Sequence, residues 1–176
     1  MAGRDETRAW IMVAIQALLF ALVAVAALTP PLGGRHVWSS LAAGLSLVIL
    51  GAAGVVISGR DLGRALTPLP IPNGEGLAAR GLYRWARHPM YSSLIVICVG
   101  IAVASGTPQS WIAAAALAGF FAVKARMEER YLVGTYAGYA GYAARVGRFV
   151  PGLGRLRAAD AGEAGRDDEA EARAPS

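Results

Sequence analysis

His88 and Tyr91 lie three residues apart in "RWARHPMYSS" (84–93), and Lys124, Glu128 and Glu129 follow in "VKARMEERYL" (123–132). Between them run two apolar stretches, Tyr91 to about Ser105 and Trp111 to Val123, joined by "GTPQ". A short connection of that kind makes antiparallel neighbours, so the two polar ends return to one depth and can meet. Proline disfavours helix in the residue before it and suits the first helical position. His88 is therefore expected to be extended, with Pro89 opening a helix. The first-turn amides, at Met90 and Tyr91, then face outward, where a carboxylate or phosphate is favoured. Lys124 and Glu128 are four apart and share a helical face. Anion-binding amides, cations and a carboxylate for an ammonium together suit a zwitterion. Glu75, Arg80, Tyr83, Arg84, Arg87 and Arg126 belong to the same polar groups.

Each residue also has a plainer role. A lone histidine at a membrane interface is more often a headgroup contact than a catalyst, and arginines beside a span usually set topology. Glu128 and Glu129 would ordinarily be solvated, or paired with Arg126 and Arg130. His36 and His88 fall on opposite membrane faces in this reading, so no metal pattern is present. Neither a phosphate-binding glycine loop nor a dinucleotide fingerprint occurs. The lone Cys98 excludes an intrachain disulfide.

The elements that must position these residues are apolar helices. Apolar residues make up 55% of the 176-residue chain and charged residues 16%, against about 25% in soluble domains. The net charge is +5. Its arginines flank apolar runs and form no continuous face, which points to anionic lipid headgroups and away from nucleic acid. Residues 10–28 hold one polar member, Gln16, and match the roughly 20 residues that span a bilayer. The run exceeds the usual signal-peptide core, and Asp5 and Glu6 spoil a basic leader. "TPPLGGRH" breaks this helix, and 37–57 gives a second span, so the first two are expected to form a hairpin. Residues 58–89, with prolines at 68, 70 and 72, are expected to form a structured loop. Spans at 90–105 and 109–126 complete the set. Each apolar core of about 15 residues covers only about 22 Å of a roughly 30 Å hydrocarbon layer. Either Lys124 and Arg126 snorkel toward headgroups, the expected case because no helix breaker but Gly119 intervenes, or the pair is partly re-entrant.

The expected fold is all-α: a polytopic membrane protein of about four transmembrane helices in two hairpins, with a C-terminal helix at the cytoplasmic face. Arginines cluster before span one, between two and three, and after four. Between one and two lies only Arg35, and between three and four no charge, which places both termini in the cytoplasm. A bacterial inner membrane or its equivalent fits. Residues 1–157 read as one membrane-embedded domain and 158–176 as a disordered acidic tail. Tyr136, Tyr139 and Tyr142 recur every three residues as a helical stripe, read as packing or an interfacial aromatic belt.

"GLYRWARHPMY", an apolar hairpin, "EERYL" and "YAGYAARVGRFVPGL" form an ordered set across 59–154. It resembles the isoprenylcysteine carboxyl methyltransferases and related phospholipid methyltransferases. The resemblance implies methyl transfer from S-adenosylmethionine to a prenylated or other lipid-like acceptor. By position it implies cofactor contacts at Glu75, Gly76, Leu77, Ala78, Tyr83, His88, Pro89, Met90, Tyr91 and Glu128. Arg87, Lys124 and Glu129 are the catalytic candidates. Lys124 stands where the eukaryotic enzymes have an arginine associated with the prenylcysteine; it keeps the charge without the bidentate fork. A carboxylate acceptor needs no general base, whereas an amine would draw on Glu129 or His88. Two other readings stay open here: a nicotinamide-dependent membrane reductase of related architecture, and a non-enzymatic membrane scaffold.

Overall fold

The computed structural model describes residues 2–34, 39–63, 80–136 and 138–156. Five α-helices follow in chain order: α1 (Ala2–Leu28), α2 (Leu41–Leu62), α3 (Pro89–Ser105), α4 (Pro108–Thr135) and the short α5 (Tyr139–Arg145). One-turn 3₁₀ segments lie at Leu32–Gly34 and Gly81–Arg84, and no strand occurs among the described residues. Glu75, Gly76, Leu77, Ala78, residues 64–79 of the 58–89 stretch and the acidic tail lie outside them.

Helix boundaries follow local chemistry. Ser40 caps α2 by accepting from the Ala43 amide, and Pro89 and Pro108 open α3 and α4, where a missing N–H leaves nothing unsatisfied. α3 ends at Gly106, whose φ of 63° lies in the left-handed region that favours glycine. Where composition predicts a loop from residue 58, α2 continues to Leu62. Its last turn holds no proline, and the helix stops at Gly63, with φ of 57°.

Trp10–Leu28, Leu41–Leu62 and Pro108–Thr135 are long and apolar enough to cross a membrane. α3 is equally apolar in character but has 17 residues, about 25 Å of helix. The chain is an integral membrane protein, with three helices of spanning length among the described residues where four spans are expected.

The first two helices do not form the predicted hairpin. α1 packs on α4 and α2 on α3, so they flank the α3–α4 hairpin on either side. The reason is a glycine face. A Cβ at Gly51 would come 2.6 Å from Ile97 and 2.7 Å from the Ser93 carbonyl, and one at Gly100 would come 2.7 Å from the Gly44 carbonyl. Backbones this close generate van der Waals contact where lipid removes the hydrophobic drive to associate. On the other side, Val23 and Ala26 join Ala113, Ala114, Leu117 and Phe121 in the core.

The end of the bundle away from the polar segments is closed by hydrogen bonds. Thr107 Oγ1 donates to the Ala26 carbonyl at 3.1 Å, Gln109 Nε2 to the Pro30 carbonyl at 2.7 Å, and the Ser40 amide to the Val103 carbonyl at 3.0 Å. These ties fix the helix ends in register. The opposite ends of α2, α3 and α4 therefore converge on one face.

Candidate active site

The start of α3 and the last turns of α4 meet at that face. Glu128 accepts a short hydrogen bond at Oε1 from the Tyr91 hydroxyl, and its Oε2 lies 3.5 Å from His88 Nδ1. Its side chain keeps 17% exposure. His88 Nε2 lies 3.3 Å from Glu129 Oε1, out of line for a hydrogen bond. The imidazole thus sits between consecutive carboxylates of α4. Rings fix the orientation: His88 stacks on Tyr91, planes 2° apart, and Tyr91 stacks on Phe121 at 4.7 Å between centroids.

Lys124 enters from one turn earlier. The expected snorkelling does not occur: Lys124 is 3% exposed and turns inward. Its ammonium donates to Gln16 Oε1 at 2.8 Å and lies 5.6 Å from the centre of the Tyr91 ring. Gln16, the one polar residue of the first span, is its anchor. A polar group inside the membrane is costly unless partnered, which accounts for this pairing of the two.

Beneath His88 runs a second, fully engaged ion cluster. Arg87 donates from Nε to Glu129 at 2.9 Å, from Nη1 to the Ala143 carbonyl at 2.8 Å and to that of Val146, and from Nη2 to the Gly154 carbonyl at 2.9 Å. Arg148 reaches Glu129 Oε2 through Nη2 at 2.7 Å and Nε at 3.1 Å, a fork on the same carboxylate. That hydrogen bond holds the Arg148 guanidinium above its usual range. Two guanidiniums thereby compensate one buried carboxylate, the condition under which such a charge is tolerated.

The segment after α5 lies along the "RH" pair as a strap, residues 146–156. The Arg87 and His88 amides donate to the carbonyls of Gly147 and Arg148 at 2.8 and 2.9 Å, beside a parallel bridge from Ala86 to Gly147. A Cβ at Gly147 would fall 2.0 Å from the Val150 carbonyl, so glycine alone permits the turn. Ser92 Oγ holds the Phe149 carbonyl at 2.7 Å, and the Tyr142 hydroxyl bonds the Tyr83 carbonyl. On the α2 side, Asp61 accepts from the Leu82 amide at 2.8 Å and fixes the 81–84 turn.

The model of the phospholipid methyltransferase family matches residues 39–138, from just before α2 to just after α4. The chain belongs to that family. Among curated proteins, it is 33% identical over 123 residues to protein-S-isoprenylcysteine O-methyltransferase B of Arabidopsis thaliana, covering 66% of this chain and 61% of that one. It is 35% identical over 86 residues to an uncharacterised protein of Schizosaccharomyces pombe, covering 46% of this chain and 25% of that protein. The chain therefore spans less than two thirds of either relative.

In this phospholipid methyltransferase family member, Tyr83, Arg87, His88, Pro89, Met90, Tyr91, Lys124, Glu128 and Glu129 all lie at the α3–α4 end. Their settings differ. Glu129 and Arg87 are buried and engaged with one another, whereas Glu128 is partly open. The partners expected for the two glutamates, Arg126 and Arg130, point outward. Tyr83 is buried, and burial pushes its phenol upward. Met90 faces Gly59 of α2. The tyrosine stripe is not one helical face: Tyr136 ends α4, while Tyr139 and Tyr142 pack edge to face, buried in α5. Gln16, Asp61 and Arg148 carry contacts that no spacing in the sequence announces. The signals available were the lone polar residue of a span, an acid at a span end, and an arginine within "RVGRF".

Proposed function

We propose that this protein transfers a methyl group from S-adenosylmethionine to a lipid-like acceptor, a prenylcysteine carboxylate or a comparable lipid headgroup, at the cytoplasmic membrane face. The observation that carries the reading is Glu128: a partly open carboxylate, oriented by Tyr91 and His88, whose Oε2 retains capacity to accept a further donor. Family membership and the similarity to the plant protein support it.

The donor set fits the methionine end of that cofactor. Glu128 would take its ammonium. The first-turn amides of Met90 and Tyr91, which have no acceptor within the helix, would take its carboxylate. Glu75, Gly76, Leu77 and Ala78 complete the proposed contacts through the family resemblance. When bound, S-adenosylmethionine supplies a methyl carbon activated by a sulfonium and open to in-line displacement.

The residues of this chain then do three things. Tyr91, stacked between His88 and Phe121, fixes the Glu128 carboxylate and excludes water from one side. Lys124, held by Gln16, places positive charge beside the Tyr91 ring, where an anionic acceptor group would be drawn. Arg87 and Glu129 position His88 and the strap and do not touch the reacting atoms, because their polar atoms are already engaged. Alignment and water exclusion are what such a displacement needs from a protein. For an amine acceptor, His88 would take the proton in preference to Glu129, whose oxygens already accept from Arg87 and Arg148.

Topology follows the same reading. The site ends of α2, α3 and α4 carry the arginines and face the cytoplasm, α3 serves as the fourth, short span, and α5 lies at that face.

The test is label transfer. The protein, reconstituted in bilayers with methyl-labelled S-adenosylmethionine, is given N-acetyl-farnesylcysteine or phosphatidylethanolamine. The expected outcome is label in the lipid phase, released as methanol by base if an ester forms and base-stable if an amine is methylated. Label no higher than with Glu128→Gln protein for either acceptor class would count against the proposal.

A further inference from the structure

The strap, together with Trp85, has a feature the site does not use. Trp85 is 62% exposed, Val150 51% and Leu153 66%, although all three lie beyond the apolar helices. They are carried on segments tied to each other: Ala86 bridges Gly147, and the Arg148 amide donates to the Leu153 carbonyl at 2.8 Å. The exposed charges on the segments around Trp85 and the strap are arginines. Arg80, Arg84, Arg126, Arg130, Arg145 and Arg155 are exposed. Of the carboxylates next to these segments, Glu128 and Glu129 turn to the site and Asp61 to Leu82, while Asp5 and Glu6 lie on the first turns of α1.

The depth of this surface follows from α3. Seventeen residues give about 25 Å of helix against a roughly 30 Å hydrocarbon layer. With the Gly106–Thr107 turn at the far boundary, the start of α3 lies about 5 Å inside the near one, and tilt takes it deeper. Ser92, in the first turn of α3, holds the Phe149 carbonyl, and the His88 amide holds that of Arg148. The strap is thereby pinned at the boundary between acyl chains and headgroups. Tryptophan and aliphatic side chains are favoured there, and arginines reach outward to phosphate.

We propose that Trp85 and the 146–156 strap form an in-plane anchor on an anionic lipid surface, with Trp85, Val150 and Leu153 entering the boundary and the surrounding arginines engaging phosphate headgroups. The anchor sets the opening beside Glu128 at headgroup level, so that a lipid acceptor presents its polar end without leaving the bilayer. Only this last consequence rests on the methyltransferase reading; the anchoring does not.

The experiment measures depth. The variant Trp10→Phe, Trp38→Phe, Trp111→Phe leaves Trp85 alone and is reconstituted into vesicles of phosphatidylcholine with phosphatidylglycerol, with or without bromine on the upper acyl chain. The expected result is blue-shifted Trp85 emission, mostly lost on lipid bromination and little affected by aqueous iodide. Should the triple variant not fold, the same quantity is read as the difference between unaltered protein and Trp85→Phe. Emission quenched by iodide and indifferent to bromolipid would overturn the proposal and leave this face to a soluble partner. Absence of methyl transfer by the unaltered protein, with Trp85 seated at the boundary, would strike the methyltransferase reading alone.

Discussion

At the residue scale, neighbouring carboxylates of one helix have opposite assignments. Glu129 is enclosed by Arg87 and Arg148, while Glu128 faces His88 and Tyr91 and stays partly open. Arg87 is the staple of this arrangement, since its fork reaches Glu129, α5 and the strap at once. Arg87→Lys keeps the charge and loses the fork. Because the pair is buried, the expected cost is about 3 kcal/mol of stability, read as a lowered thermal midpoint in detergent. A midpoint unchanged from the parent would refute the staple role. The tyrosines give a pH signature. Burial pushes the Tyr142 phenol from 10.0 up to about 12. The folded protein holds this proton more tightly than the unfolded chain, so the contribution is full below pH 10 and is lost as pH rises through about 12. Alkaline titration should therefore show tyrosinate absorbance rising together with loss of structure. Complete tyrosine ionisation near pH 10 in folded protein would contradict it.

At the element scale, the α3–α4 hairpin is the frame, and α1 and α2 are attached to it by different means. α2 lies against α3 through glycines, and α1 is fixed to α4 by core packing and by the Gln16–Lys124 hydrogen bond. Gln16→Leu is expected to weaken that attachment by about 1 kcal/mol, the scale of interhelical hydrogen bonds in membranes. The thermal midpoint should fall, and Gln16→Glu, which keeps the acceptor, should restore it; equal loss in both variants would assign the effect to packing. The hairpin itself was legible in the sequence, because apolar length, "GTPQ" and Pro89 act locally. The attachment of α1 was not. Gln16 and Lys124 are 108 residues apart, and a lysine near a span end normally snorkels. Nor could the glycine face be assigned to α3, since absent side chains do not name their partner. Arg148 was one basic residue among many until the strap brought it onto Glu129.

At the scale of the whole molecule, the described residues hold their buried ionic groups at one end of an apolar bundle and close the other end with neutral hydrogen bonds. That polarity, with membership in the phospholipid methyltransferase family, makes Glu128 the most exacting point of the account. The direct measurement is calorimetric binding of S-adenosylhomocysteine to the purified protein, with a nicotinamide dinucleotide phosphate for comparison and Glu128→Gln as the variant. The account predicts binding of the homocysteine product, a loss of about tenfold or more in the variant, as for removal of a charged hydrogen-bond partner, and no binding of the dinucleotide. Equal affinity in parent and variant, or binding of the dinucleotide in its place, would contradict it.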